Sequence, residues 1–240
     1  MRSYRALVPG RVRDVVGAMR ARGPVWLQSD SGAATWMCQA YSPPQWEQEY
    51  RTGKWRYMHG LQELARYSVV IGYARFFRPG GAVLDLGCGE GILQQRLGTN
   101  GYSRYMGVDV SEVAIARARE RTDASTMFVC ADVERFEPGR KFDVIVFNEV
   151  LYYFSDPLAV LRRFESLLEP DGIFIVSMFS DSETSKNWSV LERAYEFIDE
   201  TTTGNAKSGF AWSCRVARPG PRLMRRLFST PTRERSGLPS

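Results

Sequence analysis

The chain has little histidine and little cysteine: one imidazole, His59, and four thiols, Cys38, Cys88, Cys130 and Cys214, among 240 residues. The thiols are scattered and no two form C-x-x-C, which argues against a structural zinc site or a disulfide framework and fits a reducing compartment. Long apolar runs are missing too, since none approaches the roughly 20 residues needed to span a bilayer. The N-terminus lacks the apolar core of a secretory signal. Acids are scarce there, with Arg2, Arg5, Arg11, Arg13 and Arg20 against the lone Asp14. That balance faintly suggests a transit peptide, but the segment is poor in serine, and a cytoplasmic protein is expected.

A chain of this length holds one well-buried α/β domain with appendages. The expected division is a basic, partly ordered arm over 1–54, a domain over 55–217 and a flexible basic tail over 218–240. The arm is broken by Pro9-Gly10, Gly23-Pro24 and Pro43-Pro44, with a short helix at Val12–Met19. Its arginines lack the interleaved aromatics of a base-stacking platform, so nucleic acid is not expected as a partner. In the tail, Leu223–Phe228 is expected to form one helical turn at most.

The organising stretch is Val83-Leu84-Asp85-Leu86-Gly87-Cys88-Gly89-Glu90-Gly91. It reads as a buried strand, a tight turn and the start of a helix over Ile92–Leu97, the nucleotide-binding device of open α/β sheets. Bare glycines let a ligand lie against backbone N–H groups. Cys88 reads as a small residue that fits this loop. The third glycine comes one residue earlier than in the dinucleotide fingerprint G-x-G-x-x-G. Asp85 would repel a pyrophosphate but attract an ammonium group. A ligand with an adenosine end and a charged amino acid end suits both features, and S-adenosylmethionine (SAM) is the candidate.

Further strands are expected at Tyr105–Val110, Met127–Asp132, Phe142–Phe147 and Ile173–Met178, each parallel to the first. Ser111 reads as the N-cap of a helix over Val113–Arg121. Pro157 reads as the first turn of a helix with its apolar face at Leu158, Val160, Leu161 and Phe164. The turn Glu169–Gly172 should end that helix. A helix over Ser182–Arg193 and a hairpin, Glu196–Thr203 with Phe210–Val216, should close the sheet. Before the first strand, Leu61, Leu64, Ala65, Val69, Ile71 and Phe76 give Leu61–Phe77 helical spacing, which Pro79-Gly80-Gly81 stops. Asp109, some twenty residues past the glycine turn and beside Val110, stands where a ribose would place its hydroxyls.

Val83–Gly91 resembles motif I of the class I SAM-dependent methyltransferases. The resemblance runs over about residues 55–217 and includes the "L-x-P-x-G" turn at Leu168–Gly172. It implies a Rossmann-like, mostly parallel seven-stranded sheet with an antiparallel C-terminal hairpin and helices on both faces. By the same resemblance Asp132 accepts from the adenine amino group and Val133 lies against the ring, while Asn148 and Glu149 stand at the next strand tip. Many relatives carry Glu-His where this chain has Tyr152-Tyr153. That departure removes plausible metal ligands, so no metal is expected.

The chemistry expected is methyl transfer to an oxygen or nitrogen of a small molecule, such as a natural-product or sugar intermediate, with S-adenosylhomocysteine (SAH) as by-product. The dense aromatics between Trp46 and Met58 favour an enclosed, partly apolar pocket. Arg66 and Tyr57 are expected at the SAM carboxylate, and Asp85, Gly87, Cys88, Gly89 and Glu149 around the rest of the cofactor. His59 is the one group whose ordinary pKa, about 6.5, suits a general base. Tyr153 and Glu149 are the other catalytic candidates. RNA or protein methylation using the basic ends, or a non-catalytic SAM-binding role, are the alternatives. Monomer and homodimer are both compatible with the sequence.

Overall fold

The computed structural model describes residues 42–206 and 209–219, with the backbone of two short strands, β1 (Val25–Leu27) and β2 (Thr35–Met37), paired antiparallel. The expected helix at Val12–Met19 and the turn at Leu223–Phe228 lie outside the described residues.

The body is a seven-stranded sheet of order β5-β4-β3-β6-β7-β9-β8. Its strands are β3 (Gly80–Leu86), β4 (Tyr102–Asp109), β5 (Thr126–Cys130), β6 (Phe142–Asn148), β7 (Leu168–Phe179), β8 (Glu196–Asn205) and β9 (Phe210–Arg218). The five from β5 to β7 run parallel, and β9 joins β7 antiparallel with β8 outside it. Strand order runs outward from β3 through β4 to β5, then reverses from β6. The crevice between the carboxyl ends of β3 and β6 is therefore the switch point, where open α/β sheets bind ligands.

Both faces of the central strands are covered, which explains their near-continuous apolar sequences. Val83, Val144, Val146 and Ile175 pack on one side with Tyr67, Val70 and Ile115. Leu84, Ile145, Phe147 and Val176 pack on the other with Leu161, Phe164 and Leu191. The first face carries α2 (Leu64–Phe77), α3 (Ile92–Leu97) and α4 (Glu112–Arg119), and the second carries α5 (Pro157–Glu165) and α6 (Ser182–Ala194). Side-chain caps fix the starts of three of them: Ser111 accepts from Ala114 N–H, Asp156 from Ala159 N–H, and Asp181 from Glu183 and Thr184 N–H.

Three local expectations differ from the structure. Pro43-Pro44 does not break the chain; it starts a helix, α1 (Pro43–Arg51), behind the N-cap Ser42, whose backbone N–H donates to Gln45 Oε1 at 2.8 Å. Proline at the first helical positions gives up an N–H that has no helical partner anyway. Residues 169–172 do not separate helix from strand, because β7 already pairs at Leu168 with Phe142 and resumes at Ile173 opposite Val144, with the turn looped out between. Finally, α2 buries Arg66, Tyr67, Val70, Tyr73 and Ala74, leaving Leu61 and Phe76 about four-fifths exposed. Among the described residues no helix is long and apolar enough to cross a membrane.

Candidate active site

The turn after β3 is built on left-handed backbone: φ is 74° at Gly87, 54° at Gly89 and 73° at Gly91. Gly87 and Cys88 N–H both donate to the Val108 carbonyl, at 2.8 and 3.0 Å, which ties the turn to the end of β4. A Cβ on Gly87 would lie 2.6 Å from Val150 Cγ2, and one on Gly91 would lie 2.7 Å from Phe128 Cζ. At those two positions the packing and the positive φ by themselves already require glycine. At Gly89 a Cβ would meet the Tyr50 hydroxyl of α1 at 2.7 Å. Cys88 is buried, and burial raises its thiol well above the usual range, so it is no ready nucleophile.

Around the turn opens a cleft lined by Asp85, Gly87, Cys88, Gly89, Glu90 and Asn148 below and by Tyr50, Trp55, Met58 and Tyr67 above. The upper wall comes from Tyr50 of α1, from Trp55 and Met58 of a 3-10 segment, Lys54–His59, and from Tyr67 of α2. Asp109, at the tip of β4, accepts from Gly89 N–H at 2.9 Å and Ser111 N–H at 3.0 Å. Glu47 of α1 accepts from Ser111 Oγ at 2.8 Å and Val113 N–H at 3.3 Å, so the upper wall docks on the N-terminus of α4. Val110 follows Asp109 directly. Beyond β5, Asp132 is exposed and accepts from Glu134 N–H at 2.9 Å, while Val133 is buried against the second core.

Beneath the cleft, Asp85 is buried and accepts from the Tyr105 hydroxyl through Oδ2, while Oδ1 has no partner. Burial pushes its carboxyl up to about 7 from an ordinary 3.8. An unpaired buried carboxylate oxygen is costly, and an ammonium group in the cleft would relieve it. Opposite stands Arg66, 1% exposed, donating to Asn148 Oδ1 and, at 2.9 Å, to Glu63 Oε2. Its guanidinium stacks 4.5 Å over the Tyr67 ring, and its Nε–H has no acceptor. Burial opposes its charge, but Tyr67, Glu149 and Glu63 hold it above the usual arginine range. No group of three or more potential metal ligands occurs among the described residues.

Past Asn148 the chain is strained. Glu149 has φ of 62°, the one non-glycine residue at positive φ among those described. Such a conformation costs on the order of 1–3 kcal/mol. The carboxylate recoups it by accepting from Ser177 Oγ at 2.8 Å, Phe179 N–H at 3.1 Å and the Tyr152 hydroxyl at 3.1 Å. Tyr153 packs edge-on to Trp46 at 4.7 Å and against Tyr152 at 4.6 Å, so α1 and the loop after β6 meet ring to ring. Tyr57 is half-buried in the 3-10 segment with its ring 6.0 Å from Trp55. His59 is exposed and pairs with Glu90 at 2.9 Å, and Glu90 also binds Arg117 at 2.6 Å.

The sequence-assigned residues Asp85, Gly87, Cys88, Gly89 and Asn148 therefore line one cleft, with Asp109 bonded to its floor and Arg66 to its side. Asp132 and Val133 stand two strands away, and His59 is tied to Glu90 of the turn, which itself lines the cleft. Sequence reasoning did not single out Glu47 or Tyr105, whose partners lie twenty or more positions away. Tyr50 left a signal only as a member of the aromatic run.

Known proteins resemble this chain. The family model of a methyltransferase domain matches residues 48–216. The ubiquinone biosynthesis O-methyltransferase of Bradyrhizobium diazoefficiens is 34% identical over 109 residues, 44% of this chain and 41% of that protein. Nodulation protein S of the same organism is 32% identical over 139 residues, 56% of this chain and 66% of that one. The chain thus spans about two fifths of the first relative's length. Among solved structures, the 1,6-didemethyltoxoflavin-N1-methyltransferase of Burkholderia thailandensis, with its namesake ligand and SAH bound, superposes with a TM-score of 0.64 at 23% identity, covering 82% of this chain and 93% of that one. The N-methyltransferase NodS of Bradyrhizobium japonicum in complex with SAH gives 0.61 at 20% identity, covering 72% and 98%. With the family model covering most of the chain, from α1 through β9, this protein belongs to the methyltransferase domain family.

Proposed function

We propose that this chain is a SAM-dependent methyltransferase acting on an oxygen or nitrogen of a small-molecule acceptor. The observation that carries the reading is the unpartnered carboxylate oxygen of Asp85, set at the switch-point crevice beside Asn148 and the glycine turn. Asp85 receives the ammonium of the cofactor's amino acid end, and Arg66 with Tyr57 faces its carboxylate. Asp109 accepts from the ribose hydroxyls; Asp132 and Val133 receive the adenine.

When bound, SAM supplies a methyl group on a sulfonium centre, so displacement needs only a lone pair aligned behind that carbon at roughly 3–3.5 Å. The protein's task is positioning and the exclusion of water. Trp55 lines the cleft, and Trp46, Tyr57 and Tyr153 join it in a chain of ring contacts, which suits a partly apolar acceptor. Glu149 and Tyr153 stand on the acceptor side. His59 is the remaining candidate base, although its bond to Glu90 gives it a second task, closing the upper wall on the turn. Free Cys88, Cys130 and Cys214 support action in a reducing compartment such as the cytoplasm.

Calorimetric titration with SAH, followed by incubation with methyl-labelled SAM and fractionated cell extract, tests the reading. Binding with label entering small metabolites is the expected result. Label appearing only in RNA or protein refutes the acceptor class, and absence of SAH binding refutes the whole assignment.

A further inference from the structure

The pairing of Tyr152 with Glu149 is not explained by holding a cofactor. Glu149 keeps a strained backbone at the tip of β6, and its carboxylate lies in a nest of donors at the end of β7. One of those donors is different in kind. Ser177 Oγ and Phe179 N–H belong to the sheet, whereas the Tyr152 hydroxyl comes from the one-turn 3-10 segment Leu151–Tyr153, whose Tyr153 ring meets Trp46 of α1. A phenol that donates to a carboxylate keeps its own lone pairs available to accept. Tyr152 is half-buried and rests against Tyr153, whose ring reaches Trp46 on the opposite wall.

We propose that Tyr152 is a catalytic residue, relaying the acceptor's proton to Glu149 as the methyl group is transferred. This rests on the methyltransferase reading above. The acceptor's oxygen or nitrogen lone pair forms the bond to the methyl carbon, and the carbon–sulfur bond breaks with its pair passing to sulfur. The proton lost by the acceptor goes to the Tyr152 oxygen while the phenol's own proton moves to Glu149 Oε2. Charge and atoms balance with no further reactant: the sulfonium loses its positive charge and the carboxylate its negative one.

The surroundings suit that carboxylate to the task. Burial raises its proton affinity, the nearby Arg66 cation and the Ser177 bond oppose this, and Glu63 adds to it. The other titratable groups facing the pair are Tyr57 from the upper wall, Tyr153 beside Tyr152, and the Cys214 thiol of β9. Burial holds the Tyr57 phenol and the Cys214 thiol above their ordinary ranges, so neither competes to take the proton near neutral pH.

The test uses the full chain with methyl-labelled SAM and three probe acceptors, phenol, catechol and aniline, from pH 6 to 9, with SAH affinity measured on the same preparations. The expected wild-type rate rises with pH through one ionisation and then levels. Tyr152→Phe and Glu149→Gln should each lower kcat at least about a hundredfold and erase that limb, with SAH affinity for Tyr152→Phe unchanged. The double variant should be no slower than either single one, as expected for groups acting as a unit. Ser177→Ala removes a bond to the ionised carboxylate and should move the limb to higher pH without erasing it. An unchanged limb in Tyr152→Phe overturns the proposal, as does a wild-type protein that binds SAH yet methylates none of the three probes. Failure to bind SAH overturns the underlying methyltransferase reading instead.

Discussion

If Asp85 receives the cofactor's ammonium group, binding must be linked to proton release. In the free protein its carboxyl titrates at about 7, because burial leaves Oδ1 without a partner. An ammonium alongside would stabilise the ionised form and pull that value well down. Below pH 7 each binding event then expels a proton, and the apparent affinity falls as the pH drops. With one group of pKa about 7, SAH should bind about tenfold more weakly at pH 6 than at pH 8. Calorimetry in two buffers of different ionisation enthalpy should report nearly one proton released at pH 6 and few at pH 8. Asp85→Asn should bind about 10- to 100-fold more weakly at pH 8, by loss of a charge-assisted bond, and with no dependence on pH from this group. The free protein should show the opposite trend. A folded-state carboxyl raised above its ordinary 3.8 binds its proton more tightly than in the unfolded chain, so stability declines as pH climbs from about 4 to about 7. Asp85→Asn escapes that decline and should melt higher than wild type at pH 8, by an amount up to about 4 kcal/mol. An affinity that is flat from pH 6 to 8 in the wild-type protein would refute the ammonium assignment.

Other substitutions separate binding from scaffolding. Asp109→Ala should weaken SAH binding at least tenfold and loosen the glycine turn, since Gly89 and Ser111 N–H lose their acceptor; unchanged calorimetric affinity would remove Asp109 from the ribose site. Gly87→Val should chiefly destabilise, because its Cβ lands 2.6 Å from Val150 Cγ2 at a φ of 74°. A melting temperature equal to wild type, with binding lost, would show that the packing argument is mistaken. His59→Ala should lower the melting temperature slightly, by no more than about 1 kcal/mol of stability for a half-exposed pair. Retained turnover in that variant assigns His59 to closing the upper wall, whereas a collapse of the rate with unchanged melting makes it the base.

The strand tips were legible in the sequence because their signals are local. Val83–Gly91 states strand, turn and helix within nine residues, Asp109 and Asn148 each end a run of apolar residues that forms a buried strand, and Asp132 follows the partly exposed edge strand β5. The wall above the cleft was much less legible. Pro43-Pro44 reads as punctuation, and its use as a helix start depends on Ser42 and Gln45 closing a box in front of it. The reasons for individual glycines were hidden as well: Gly87 looks like a place for a ligand until Val150, more than sixty positions later, is seen beneath it.

Arg66 shows why pattern alone misplaces α2. Counting apolar positions aims the helix by Leu61, Leu64 and Phe76, because a guanidinium is normally assigned to solvent. The chain does the reverse, and leaves those side chains exposed while a cation is buried between Glu63, Asn148 and the rings of Tyr67 and Trp212. Burying a charge is rarely a net gain in stability even when it is paired. A hydrophobic residue at this position would pack the helix at lower cost. The arrangement makes sense if the cation's purpose lies in the crevice: it fixes Asn148 at the tip of β6, biases Glu149 toward its ionised form, and keeps an Nε–H donor unspent, as Asp85 keeps an acceptor. One donor and one acceptor, both dry and unpaired, are what a zwitterionic amino acid end would need, and together they account for a helix face that stability by itself does not.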